Sequence, residues 1–92
     1  HLPQLAANGL AAALDDEGIV PGDLGPGGRD MTRLAASNPE MWAGLFEDAH
    51  PDLVRALRNT AETLQNAADE LERGDVEAIV ALMNRTRSWS DA

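Results

Sequence analysis

Two kinds of side chain in this chain could do acid–base or anion-binding chemistry. His1 and His50 supply imidazole, and Arg29 and Arg33 lie in Gly27–Trp42, the one stretch dense in glycine, polar and aromatic residues. A neutral imidazole is suited to accept a proton near neutral pH, because its ordinary pKa is about 6.5. An arginine grips a carboxylate through two parallel N–H groups without proton transfer. Thr32 adjoins Arg33, and Trp42 closes the stretch on a helical stripe, as core or as pocket wall. Asp30 reads as a helix cap, or as the partner of Arg29 in an ion pair or gate at a pocket edge. His50 precedes Pro51 and reads as a helix-start residue with no catalytic role.

Composition removes several other chemistries. Cysteine is absent, so disulfides and thiolate metal sites are excluded. The two histidines lie in different segments and form no His-x-x-x-His pair, so no metal site is expected. Sixteen acidic against seven basic residues give a net charge of -9. That field repels nucleic acid and anionic membrane surfaces, and neither is an expected partner. No apolar run reaches the roughly 20 residues of a spanning helix, and no signal peptide pattern is present, so a cytoplasmic location is expected. The large apolar residues are few for 92 residues, which suggests a core completed by a second copy.

The elements that must position these side chains read as helices throughout. Leu2, Leu5, Ala6, Gly9, Leu10 and Ala13 form one stripe of a first helix, with Pro3 in its first turn and Gly18 as its stop. Ile19–Gly28 reads as a glycine- and proline-rich loop. Asp30–Ala36 predicts a short helix capped by Asp30, with Arg33 on its middle turn. Ser37 and Glu40 have capping-box spacing around Pro39, which starts a helix to about Ala49 that buries Met41 or Trp42, Leu45 and Phe46.

From Pro51, the residues Leu53, Leu57, Thr60, Leu64, Ala67 and Leu71 recur at intervals of 4, 3, 4, 3 and 4, a heptad-like seam on a helix of about 22 residues. Gly74 stops it and Asp75 caps a last helix whose stripe is Val76, Ile79, Val80, Met83 and Thr86. So short a link predicts an antiparallel hairpin. The fold class is therefore all-α: a single domain over 1–92, a helical bundle with a long C-terminal hairpin, completed by dimerisation.

The run Arg29-Asp30-Met31-Thr32-Arg33-Leu34-Ala35-Ala36-Ser37-Asn38-Pro39-Glu40-Met41-Trp42 resembles a motif of the prephenate and arogenate dehydrogenases of tyrosine biosynthesis. That motif has a basic residue, Asp, any residue, Thr-Arg, an aliphatic residue and Ala, then Ser-x-Pro-x-Met-Trp. His1-Leu2-Pro3 is similar to the family's Ser-His-Leu-Pro segment, entered at its histidine, so the chain is expected to be a piece of a longer one. Gln4 stands where many members have a second histidine, and Gly28 where many have a bulky aromatic.

The resemblance implies an all-helical C-terminal domain that forms the homodimer. An N-terminal domain binding NAD or NADP would precede it, with the substrate pocket between the two. It gives His1 the role of catalytic histidine and Arg33 that of substrate-carboxylate ligand. Thr32, Trp42 and Asp30 are expected beside the substrate, which is prephenate or arogenate. The reaction is an oxidative decarboxylation, and His1 would take the ring hydroxyl's proton. No Gly-x-Gly-x-x-Gly follows a strand in this chain, so the chain alone is expected to be folded but inactive. The competing expectation is a non-catalytic helical interaction module whose heptad seam is the functional surface. A helical mutase is disfavoured, because its pocket needs several clustered cations and the arginines here are scattered.

Overall fold

Prolines start four of the five α-helices, and glycines stop two of them. The computed structural model describes all 92 residues, His1–Ala92. Its order is α1 (Leu2–Asp16), a 3₁₀ turn (Pro21–Asp23), α2 (Pro26–Thr32), a second 3₁₀ turn (Arg33–Ala36), α3 (Pro39–Glu47), α4 (Pro51–Glu72) and α5 (Val76–Ser90). The chain is 82% helical with no strand, an all-α fold as expected. Pro3, Pro26, Pro39 and Pro51 each occupy a first turn, where the missing N–H has no partner to lose.

Gly18 and Gly74 adopt φ of 75° and 71°, the left-handed conformation that glycine enters at little cost. Each closes a Schellman motif. Ile19 N–H donates to the Leu14 carbonyl at 2.9 Å, and Asp75 N–H to the Glu70 carbonyl at 2.8 Å. Asp75 then caps α5, its Oδ1 accepting from Ala78 N–H at 3.1 Å. His50 caps α4 in the same manner, Nδ1 accepting from Asp52 N–H at 3.0 Å.

Three local expectations are corrected. α2 begins at Pro26, seven residues long, with Gly25 as its extended N-cap. Asp30 is therefore interior to α2 and is not a cap, and Arg33 opens the following 3₁₀ turn. The α3 cap is Asn38, whose Oδ1 accepts from Glu40 N–H at 3.0 Å, and not Ser37. Pro39 at the first helical position leaves residue 38 as the only possible cap. α3 ends at Glu47, with Met41 and Leu45 exposed and Trp42 and Phe46 half-buried.

Two compact units divide the chain, His1–Arg58 and Asn59–Ala92, with the boundary inside α4. In the first, α1 packs against α2 and most closely against the second 3₁₀ turn. The buried face of α1 is Gln4 and Ala7, continued by half-buried Ala11 and Leu14, while Leu10 on the expected stripe is exposed. Ala7 and Ala11 let the 3₁₀ backbone approach that face, and Gln4 hydrogen-bonds to it. Leu5 turns elsewhere, with Phe46, Leu53, Val54 and Leu57, into an apolar groove of about 520 Å³.

The second unit has no buried side chain. Ala67, Ala78, Ile79 and Leu82 are half-buried within it. Leu64 and Leu71 of the seam are each 66% exposed, and Val76, Val80 and Met83 are exposed as well.

Candidate active site

His1 is held by rings. It is the N-cap residue of α1, its carbonyl accepting from Leu5 N–H, and its imidazole meets Trp42 edge-on at 5.6 Å between ring centres. Phe46 lies edge-on to the same imidazole at 6.3 Å and stacks on Trp42 at 5.6 Å. The spacing of Trp42 and Phe46, one turn apart on α3, is what makes this three-ring cluster. The exposed imidazole has no hydrogen bond to either ring nitrogen within the chain.

Beneath it, Gln4 and Trp42 share a cavity of about 230 Å³ with Asn8, Ser37, Pro39 and Phe46. Gln4 is only 5% exposed. Its Nε2 donates to the Leu34 carbonyl at 2.8 Å and to Asn8 Oδ1 at 3.0 Å, which leaves Oε1 buried without a partner. The Trp42 indole Nε1–H is likewise buried and unpaired. Gln4 is the residue that motif reading passes over as a substitution for histidine. Its signal was its place on the 4, 7, 11, 14 stripe of α1.

Arg33 faces a different opening. With Arg29, Thr32, Ala11, Pro21 and Ala36 it lines a cavity of about 480 Å³. Its Nε stands 3.8 Å from Asp30 Oδ1, with the side chains 73% and 83% exposed. So loose a pair leaves the guanidinium fork available to an incoming carboxylate. Thr32 Oγ1 donates to the Gly28 carbonyl at 2.9 Å, so its hydroxyl serves the end of α2 and keeps its lone pairs for an outside donor. Gly28 lets Leu24 close on α2, since a Cβ there would meet Leu24 Cβ at 3.2 Å.

The five expected site residues thus fall into two clusters, His1 with Trp42 and Arg33 with Asp30 and Thr32. Within the first unit they are tied together by α1 and the second 3₁₀ turn. The sequence matches the family described as prephenate dehydrogenase, dimerization domain, over residues 1–85. The chain belongs to that family. No solved structure matches it.

In the Pro21–Gly28 segment Gly22 lies in a 3₁₀ turn, Gly25 precedes α2 and Gly27 and Gly28 lie in it, with Gly28 packed against Leu24. No group of three or more acidic or histidine side chains is placed to hold a metal ion.

Proposed function

We propose that residues 1–92 form one domain, the dimer-forming and substrate-side part of a dehydrogenase. Its reaction is the oxidative decarboxylation of prephenate or arogenate, with hydride transfer to NAD or NADP held by a separate N-terminal domain. The enzyme serves tyrosine biosynthesis in the cytoplasm. The observation that carries the reading is the family match over residues 1–85, which includes the whole Gly27–Trp42 stretch.

Arg33 is the proposed clamp for the side-chain carboxylate of the substrate. Holding the departing carboxylate instead would stabilise the ground state against its loss. Asp30 and Thr32 flank the clamp, and Trp42 supplies an apolar wall with one free N–H. His1 is the proposed proton acceptor for the ring hydroxyl. His1→Asn in the full-length enzyme tests this: a loss in kcat is expected, and a rise in KM at steady kcat would make His1 a substrate ligand instead.

The proposed partner is a second copy of the chain. In the second unit Leu64, Leu71, Val76 and Met83 are each 63–66% exposed. The apolar groove of the first unit and the seam of the second supply matching chemistry. Sedimentation equilibrium across a concentration series tests this directly. A tight dimer is expected, and a folded monomer at high concentration would remove the dimer claim. The same apolar faces support the non-catalytic interaction module as the second reading, for which Arg33→Ala would change no rate.

A further inference from the structure

We propose that Gln4 is a positioning residue for Arg33, holding the clamp's backbone to the helix that carries His1. The inference rests on the reading of Arg33 as the substrate-carboxylate ligand.

Arg33 does not hold itself in place. Its side chain is mostly exposed and touches Asp30 only at 3.8 Å. Its position is set by the backbone on either side of it. On the near side, Thr32 Oγ1 ties the end of α2 to the Gly28 carbonyl at 2.9 Å. On the far side, the Leu34 carbonyl accepts twice, from Ser37 N–H at 3.1 Å and from Gln4 Nε2 at 2.8 Å.

The Gln4 bond differs from the others in reach. It joins residues 30 apart in sequence, whereas the Thr32, Asn38 and Asp75 side chains bond within four residues of themselves. It is also partly shielded from water, because Gln4 is 95% buried. A hydrogen bond in such surroundings is stronger than an exposed one.

The chemistry of the amide fixes its direction. Nε2 has two N–H groups, and both are used, on Leu34 and on Asn8. Turning the amide over would set Oε1 against the Leu34 carbonyl, oxygen against oxygen. A carboxylate at this position would do the same. Ala7, one turn along the same face and 4% exposed, has no side chain to hold the 3₁₀ turn away. Gln4 lies one turn from His1 on α1, so the one amide links the two clusters of the proposed site.

The test is a double-substitution cycle in the full-length dehydrogenase, with KM and kcat for the anionic substrate measured separately. Gln4→Met keeps the shape and removes both donors. It is expected to raise KM about five- to tenfold with a much smaller change in kcat. In an Arg33→Ala background the same substitution is expected to leave KM unchanged, because the clamp it positions is gone. Equal effects of Gln4→Met in both backgrounds would reduce Gln4 to a packing residue and overturn the proposal. So would an unchanged KM in the single variant. If Arg33→Ala alone leaves KM unaltered, the reading of Arg33 fails first and this inference falls with it. Should Gln4→Met not fold, Gln4→Asn stays polar but is one methylene too short for the Leu34 carbonyl, and the same cycle is run with it.

Discussion

His1–Arg58 and Asn59–Ala92 are built from the same helical material to opposite plans. The first unit closes on itself. α1 sets Gln4 and Ala7 against a 3₁₀ turn, and three rings gather at its start. The second unit has sharper local signals, a 22-residue helix that ends inside it, a Schellman stop and an Asp75 cap, and yet it buries nothing. Strong local order with an uncovered apolar face is what a helix pair shows when its core lies in another chain. The polar chemistry belongs to the unit that is internally fixed, and the apolar surplus to the unit that is not.

The largest expected effect follows from the second unit. Leu64→Glu with Leu71→Glu places charges on the exposed seam. If a second copy covers that seam, each leucine is buried twice in a symmetric dimer. Its loss then costs about 3 kcal/mol or more, and the dissociation constant should rise by at least about two orders of magnitude. Sedimentation equilibrium reads it. An unchanged dimer would move the interface to the Leu5–Phe46–Leu53 groove of the first unit and erase the contrast between the two units.

Next in size is the proposed clamp in the first unit, Arg33. Arg33→Ala in the full-length enzyme should raise KM about ten- to a hundredfold, the worth of a charge-assisted bidentate contact, with a smaller fall in kcat. Steady-state kinetics checks it. A loss confined to kcat would mean that Arg33 acts on the transition state and not on the bound substrate.

Below these stands the turn of the second unit. Gly74→Ala forces a Cβ into φ of 71° and should cost about 1 kcal/mol, a fall in Tm of about 4–8 °C. Gly18→Ala in the first unit carries nearly the same φ, 75°. Equal losses would mean that the two units melt together. A fall for Gly18→Ala alone would mean that the second unit contributes nothing to the measured transition.

What the sequence made legible was the ends of the elements. Pro39, Pro51, Gly18, Gly74 and Asp75 each act through a backbone rule that needs no tertiary partner, and each stands where expected. The start of α2 is masked by Gly27 and Gly28, whose composition reads as loop, although Pro26 carries a helix-start signal. Asn38 was hidden behind Ser37, two good caps side by side. The buried faces were the harder matter. Periodicity marks where apolar side chains align, not what covers them. Leu10 and Leu64 are aligned and exposed, while Gln4, polar and off the leucine stripe, is buried. The candidate site is legible as a motif, but its division into a His1–Trp42 cluster and an Arg33–Asp30 cluster depends on packing between elements 30 residues apart, which spacing does not encode.

The smallest expected effect sharpens the comparison inside the first unit. Asp30 with Arg33 and Gln4 with Leu34 are both polar contacts near the clamp, and on paper the ion pair looks the stronger. The environment reverses the order. At 3.8 Å between side chains 73% and 83% exposed, water and salt screen the pair almost completely. Asp30→Asn should therefore leave Tm unchanged within error, and changing ionic strength should not distinguish the variant from the parent protein. Gln4→Met, which removes no charge at all, should lower Tm measurably, because the half-buried Leu34 carbonyl and Asn8 Oδ1 each lose a donor. Thermal melts of the two variants side by side decide it. A larger loss for Asp30→Asn would mean that the acid is drawn onto Arg33 in the assembled enzyme, where a partner surface excludes the water that screens the pair in the single chain.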